Sequence, residues 1–244
     1  MPKIGKGAYV PTSLVFDFTL TVNGTDYHID KKSASSSVAN VYDYVREDKG
    51  WYLVVYANAS LTFAKLKHLV DLCCVGGGGG GGGGSSGGSG YYQSHGKEGG
   101  PGGGGYVTTV TRTLSSNTAY SITIGTGGSA GGAGWNGTGQ PGSNGGNGTA
   151  TSFGELLTAN GGGGGSRGWD AGGETGTAGA GDEVQYCFSD EAMPYVSGVG
   201  SGTSNPSRRG QGGGKGSWGR DGDNPYSTPG KAGANGLFVI RSSR

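Results

Sequence analysis

Apolar residues occupy every second position from Leu14 to Val22 (LVFDFTLTV), with Leu14, Phe16, Phe18, Leu20 and Val22 on one face. A period of two predicts a half-buried β-strand. Asn23-Gly24 follows, the pair that suits a type I′ turn, and it closes a hairpin onto TDYHI, residues 25–29. The pattern then changes. Serines 35 to 37 can cap a short helix through VANVYDYVRE, where Val38, Val41, Tyr42 and Val45 line one stripe. WYLVVYA, residues 51–57, is strand-like again. Residues 1–57 thus read as a small α+β module, near the lower size limit for independent stability.

From residue 58 short strand patterns alternate with glycine. LTF, LVDLCCV, YVTTVTRTL, AYSITIG, TSFGELLTA and GLFVIR are the apolar or β-branched runs. YVTTVTRTL and AYSITIG predict a hairpin turning at Ser115 to Thr118. Between the runs lie glycine tracts at 76–90, 99–105, 125–148, 161–165, 172–181, 210–216 and 230–236. DEVQYCFSDEAMPYV interrupts them, with Val184, Tyr186 and Phe188 read as packing residues.

Composition sharpens the picture. Of 60 glycines only Gly5, Gly7, Gly24 and Gly50 precede residue 76, so 56 fall in the last 169 residues. That is the glycine fraction of collagen, but no Gly-X-Y period runs through the region and proline is scarce, which excludes a collagen triple helix. A flexible tether occurs once and joins two folded parts. Many tracts alternating with strands would leave several long structureless loops in one domain, against the usual loop lengths.

The alternative is a bundle of extended three-residue-per-turn helices, whose outward backbone groups are satisfied by neighbouring rods. Only glycine lets rods approach closely enough. Nine consecutive glycines, Gly76 to Gly84, would run about 28 Å at that rise. The expected class is therefore mainly β and irregular. It comprises a small N-terminal α+β module (1–57) and, over 58–244, a glycine-rich domain of packed polyglycine-II-type helices bounded by short β-strands.

Four signatures occur in order: VDLCCVGGGGGGGGG, GGGGYVTTVTRTLSSNTAYSITIGTGG, TSFGELLTANGGGGG and GANGLFVIR. Together they resemble the glycine-rich domain of tail-fibre and receptor-binding proteins of tailed bacteriophages. The resemblance covers roughly residues 58–244. The architecture is similar to the adhesins at the tips of T-even-type long tail fibres, which stack polyglycine helices and display variable loops. The first 57 residues do not match the attachment domain of those adhesins. A more distant analogue is the glycine-rich region of the anaplastic lymphoma kinase receptor family.

The resemblance implies a virion tail-fibre adhesin for host attachment, with a bacterial surface glycan or outer-surface protein as receptor. It implies tail-fibre or baseplate partners through residues 1–57, and a homotrimer. It also implies synthesis in the host cytoplasm, in keeping with an amino terminus that lacks the apolar core of a secretory signal.

Recognition is expected in the loops, since rods stiffened by backbone bonding offer no side-chain specificity. The candidates are Tyr91, Tyr92 and His95 in YYQSHGKE, Trp135 in GWNGTGQPG, Trp169 in SRGWDAG, and Arg208 in TSNPSRRGQ. GSWGRDGDNPYSTPG adds Trp218, Arg220 and Tyr226. Tryptophan and tyrosine give large contact areas with few rotamers to freeze, and a flat indole stacks on sugar rings. Each tryptophan can instead fold back over the bundle. Arg208 and Arg220 suit acidic sugars or phosphates, or are plain surface charge.

The remaining features subtract functions. Net charge is +1, with both signs interspersed, so no basic stripe exists for nucleic acid. No apolar run approaches the roughly 20 residues that cross a bilayer. The histidines are His28, His68 and His95 only, and no serine–histidine–acid arrangement is signalled. GGGGKGSW and GKAG do not complete a phosphate loop. No enzyme activity and no cofactor are expected. Cys73, Cys74 and Cys187 lack metal-ligand spacing. They read as buried thiols, with a Cys187 disulfide to Cys73 or Cys74 open. Two other functions remain: a structural virion cap or spacer, and an ice-binding protein with a flat polyglycine face.

Overall fold

The computed structural model describes residues 18–30, 34–47, 50–64, 68–87, 96–134, 140–169, 176–177, 179–181, 185–188, 196–197, 209–217 and 227–242. In chain order the strands are β1 (Phe18–Val22), β2 (Thr25–Ile29), β3 (Ser36–Val38), β4 (Tyr42–Glu47), β5 (Gly50–Val55), β6 (Ala59–Phe63) and β7 (His68–Val75). They continue with β8 (Val107–Leu114), β9 (Ala119–Thr123), β10 (Thr151–Phe153), β11 (Leu157–Ala159), β12 (Gln185–Tyr186), β13 (Val196–Ser197) and β14 (Leu237–Ser242).

Two six-stranded antiparallel sheets result, ordered β11-β10-β9-β6-β1-β2 and β3-β4-β5-β14-β7-β8, with a small β12-β13 ribbon. The first hairpin forms as its turn residues require. Asn23 and Gly24 both take positive φ, 49° and 79°, as a type I′ turn demands. One core joins the two sheets. Phe18, Leu20, Leu61, Phe63, Ile122 and Phe153 come from the first, and Tyr44, Leu53, Leu72, Phe238 and Ile240 from the second. Phe153 stacks on Phe238 with ring centroids 4.7 Å apart.

The expected class is corrected here. The fold is all-β, and no helix occurs among the described residues. The helix expected through residues 38–47 gives way to β3, a turn with Asn40 at φ 59°, and β4. Alternation, not a 3.6 period, decides: Tyr42 and Tyr44 point inward and are 7% and 1% exposed. The segment's valines and tyrosines also favour a pleated, half-buried surface. The hairpin expected at 115–118 does not form either. β8 pairs with β7 and β9 with β6, so the chain crosses between sheets there. The described residues before 58 share both sheets with the rest, through β1 on β6 and β5 on β14.

The packed polyglycine-II-type helices are likewise not found: the described glycine tracts carry no helix. They are extended segments whose backbone groups bond to other segments. Segment 76–87 leaves β7 and runs straight through the middle, buried throughout. Its N–H groups donate in strict rotation to three neighbours. Gly77, Gly80 and Gly83 donate to Thr149, Gly146 and Ser143; Gly78, Gly81 and Gly84 to Ala234, Lys231 and Thr228; Gly79 and Gly82 to Gly103 and Gly100.

Its carbonyls accept from three more neighbours, again in rotation. Gly162, Gly165 and Gly168 donate to Gly77, Gly80 and Gly83; Gly128 and Gly131 to Gly78 and Gly81; Gly213 and Gly216 to Gly79 and Gly82. Six segments therefore ring the central one, alternately antiparallel and parallel to it. Further bonds close the ring, such as Gly145 to Gly165 and Gly233 to Gly128.

Such contact forbids side chains. A Cβ on any glycine from 76 to 83 would come well inside 3.0 Å of a neighbour's backbone oxygen, closer than real Cβ atoms essentially ever come. Six outer segments carry glycine at every third position: 96, 99, 102, 105; then 125, 128, 131, 134; 142, 145, 148; 162, 165, 168; 210, 213, 216; and 230, 233, 236. The Gly-X-Y period absent from the region as a whole is thus present within each segment, with its phase reset between segments. At the rim, side chains accept from outward N–H groups: Asn147 from Gly164, Asn144 from Arg167 and Ser143 from Gly132.

Of the two readings of the cysteines, a disulfide joins Cys73 to Cys187. Cys74 stays a buried thiol, which burial pushes up to about 12. Held protonated, it is a poor nucleophile for exchange with the neighbouring disulfide.

Candidate functional site

The central segment gives the bundle two ends. At one, Gly76 continues β7 and receives Gly105, Gly236 and Asn160 alongside the sheets. The other lies ten residues on, at most about 35 Å away along an extended chain. There Ser85 and Ser86 are fully buried and their hydroxyls accept from the backbone N–H groups of Lys97 and Gln140. Gly134 donates to Gly84, and Ser227 Oγ donates to the Gly134 carbonyl. Gly168 donates to Gly83, Gly176 to Glu98 and Gly216 to Gly82.

These residues flank four stretches of chain: 88–95, 135–139, 170–175 and 218–226. Each begins and ends at this far end. Seven of the nine expected recognition residues belong to those stretches by sequence: Tyr91, Tyr92, His95, Trp135, Trp218, Arg220 and Tyr226. They lie outside the described residues, as does Arg208, whose neighbour Arg209 is at the opposite, sheet-proximal end, over the Tyr56 ring.

Trp169 is described. It is 48% exposed at the far end, with the Arg167 guanidinium 4.2 Å from the ring centroid. Arg167 was not singled out from sequence. The signal lay in its position: Arg167 and Trp169 flank the inward-facing Gly168, so both take outward positions of the three-residue repeat. Lys215 pairs with Glu98 nearby, across segments far apart in sequence. The described far end thus carries an indole, three cations (Lys97, Arg167 and Lys215) and one carboxylate.

A family model described as a glycine-rich domain matches residues 57–242. The chain belongs to this glycine-rich domain family. A search of the curated proteins finds no match. The matched span of the glycine-rich domain starts at Ala57 and so includes β6 to β14, while β1 to β5 precede it.

The described residues of the glycine-rich domain offer little for other chemistry. No group of three or more histidine, cysteine, aspartate or glutamate side chains among them could hold a metal ion. No helix among them is long and apolar enough to cross a membrane.

Proposed function

We propose that this glycine-rich domain is the tip protein of a bacteriophage tail fibre, and that it binds a receptor on the bacterial surface. One observation carries the reading: four stretches of chain begin and end at the far end of the bundle, away from the sheets, and three of them (88–95, 135–139 and 218–226) carry the expected tyrosines, tryptophans and arginine. A backbone-bonded bundle is a stiff mount, so contacts made by its loops lose little entropy on ordering. Exposed Trp169, stacked with Arg167, offers an amphipathic surface for a glycan or protein receptor. Residues 1–57 would dock the protein to other fibre or baseplate parts. A threefold assembly would multiply weak loop contacts into avidity.

The rival is a virion cap or spacer without a receptor. The two separate on a cell-binding assay with the labelled full chain across a panel of bacterial strains. Trp169→Ala should weaken binding to a susceptible strain by about thirtyfold, the loss at the threshold of a hot-spot residue. Replacing 88–95 or 218–226 with glycine–serine of equal length should abolish it. Periodate or protease treatment of the cells then distinguishes glycan from protein. Binding that survives all three variants leaves only the structural role.

A further inference from the structure

The outer face of the second sheet, at the other end of the molecule, carries a cavity of about 350 Å³ lined by Asp71, Thr109, Val110, Thr111, Phe188 and Arg241. Strand register explains why these residues meet. Asp71 on β7 stands opposite Arg241 on β14 and Thr111 on β8, so the three form one row across three strands. Arg241 Nε donates to Asp71 Oδ2 at 3.1 Å, and Thr111 Oγ1 donates to Asp71 Oδ1 at 2.7 Å. Both charged side chains are mostly covered, 13% and 15% exposed.

The next row places Cys73 opposite Thr109. Its disulfide to Cys187 fixes Phe188 beside the row, and the Arg241 guanidinium lies 3.9 Å from the Phe188 centroid. Among the described residues the Thr109 hydroxyl has no hydrogen-bond partner.

The geometry points to a binding site for a neutral saccharide unit in this cavity, beyond the recognition proposed for the far end. Volume is the first argument, since about 300 Å³ is the lower end of ligand clefts and admits one sugar ring rather than a peptide. Charge is the second. The carboxylate and guanidinium already neutralise one another, so an anionic ligand would meet no net attraction and would have to displace Asp71.

Hydrogen-bonding capacity is the third argument. Each Asp71 oxygen retains a second acceptor site, and a guanidinium donor lies alongside. Adjacent acceptor and donor, both held in place by protein bonds, match a pair of neighbouring sugar hydroxyls. Thr109 supplies a further hydroxyl, and Phe188 and Val110 supply apolar surface for the C–H face of the ring. A row serving only to cross-link strands would need none of that open space.

Saturation-transfer NMR on the oxidised full chain tests this. The probes are methyl glycosides of glucose, galactose, mannose and N-acetylglucosamine, with methyl glucuronide as the charged comparator. At least one neutral glycoside should receive saturation. Thr109→Val and Asp71→Asn should each weaken its binding by about fivefold, the worth of one hydrogen bond. Thr109 is exposed, so its variant folds even if Asp71→Asn does not. The proposal is overturned if no neutral glycoside responds, if Thr109→Val binds like the parent, or if the glucuronide is preferred. The far-end loops are intact in both variants, so their binding is scored separately.

Discussion

Glycine at position 80 and glycine at position 132 look alike in the sequence, yet their surroundings set opposite tolerances. A Cβ at 80 would collide with the Ser129 backbone carbonyl, and backbone held by several hydrogen bonds cannot retreat. A Cβ at 132 would meet only the Ser143 hydroxyl, at 3.3 Å. Gly80→Ala should therefore cost at least about 3 kcal/mol, the upper end of overpacking effects. Gly132→Ala should stay within about 0.5 kcal/mol of the parent, as surface changes do. Denaturant midpoints of the two variants check this, and equal midpoints would show that the bundle is looser than its hydrogen bonds imply.

Whole segments are governed by phase. In segment 142–148, Gly142, Gly145 and Gly148 face the central segment, while Ser143 and Gly146 donate to Gly132 and Ser129 of the next segment. Inserting one residue after Gly145 slides the first half of the segment by one position. Gly142 and Gly145 leave the contact, Ser143 and the inserted residue are turned inward, and the bonds of Gly142 and Ser143 are lost. Inserting three residues restores the phase. The single insertion should cost about 3 kcal/mol or more, at about 1 kcal/mol per lost bond plus the clash. The triple insertion should cost about 1 kcal/mol or less. Comparable thermal midpoints for the two would refute a triplet register.

At the scale of the molecule, sheets and bundle are one structure, because strands feed directly into segments and return from them. The Cys73–Cys187 disulfide closes a span of 114 residues, which contains most of the bundle. In the chain-entropy picture, removing it should cost about 5 kcal/mol. Cys187→Ser and reduction of the parent should lower the unfolding midpoint by the same amount. A larger effect of reduction than of the variant would mean that the reductant acts elsewhere, since Cys74 is already a thiol. Far-end binding and the sheet cavity should respond differently: Phe188 is fixed by this bond, whereas Trp169 is held by segment 161–169.

Much of this organisation was legible in the chain. Period-two runs located the strands, Asn23-Gly24 located a turn, and a nine-glycine run between strands pointed to main chains in near contact. These are local consequences of side-chain size and backbone sterics, so residues two or three apart suffice to express them. The triplet phase of each segment was also written there, hidden only because every loop and strand resets it. The structure alone decided the rest. Residues 38–47 carry both a helical stripe and a strand alternation, and pairing of β4 with β3 and β5 made the alternation the one that is buried. β8 took β7 over the nearer β9, Cys187 took Cys73 over its neighbour Cys74, and Asp71, Thr111 and Arg241 met across 170 positions of sequence. Partner choice is a sum over remote contacts made at once in the folded chain, and no short stretch of sequence contains that sum.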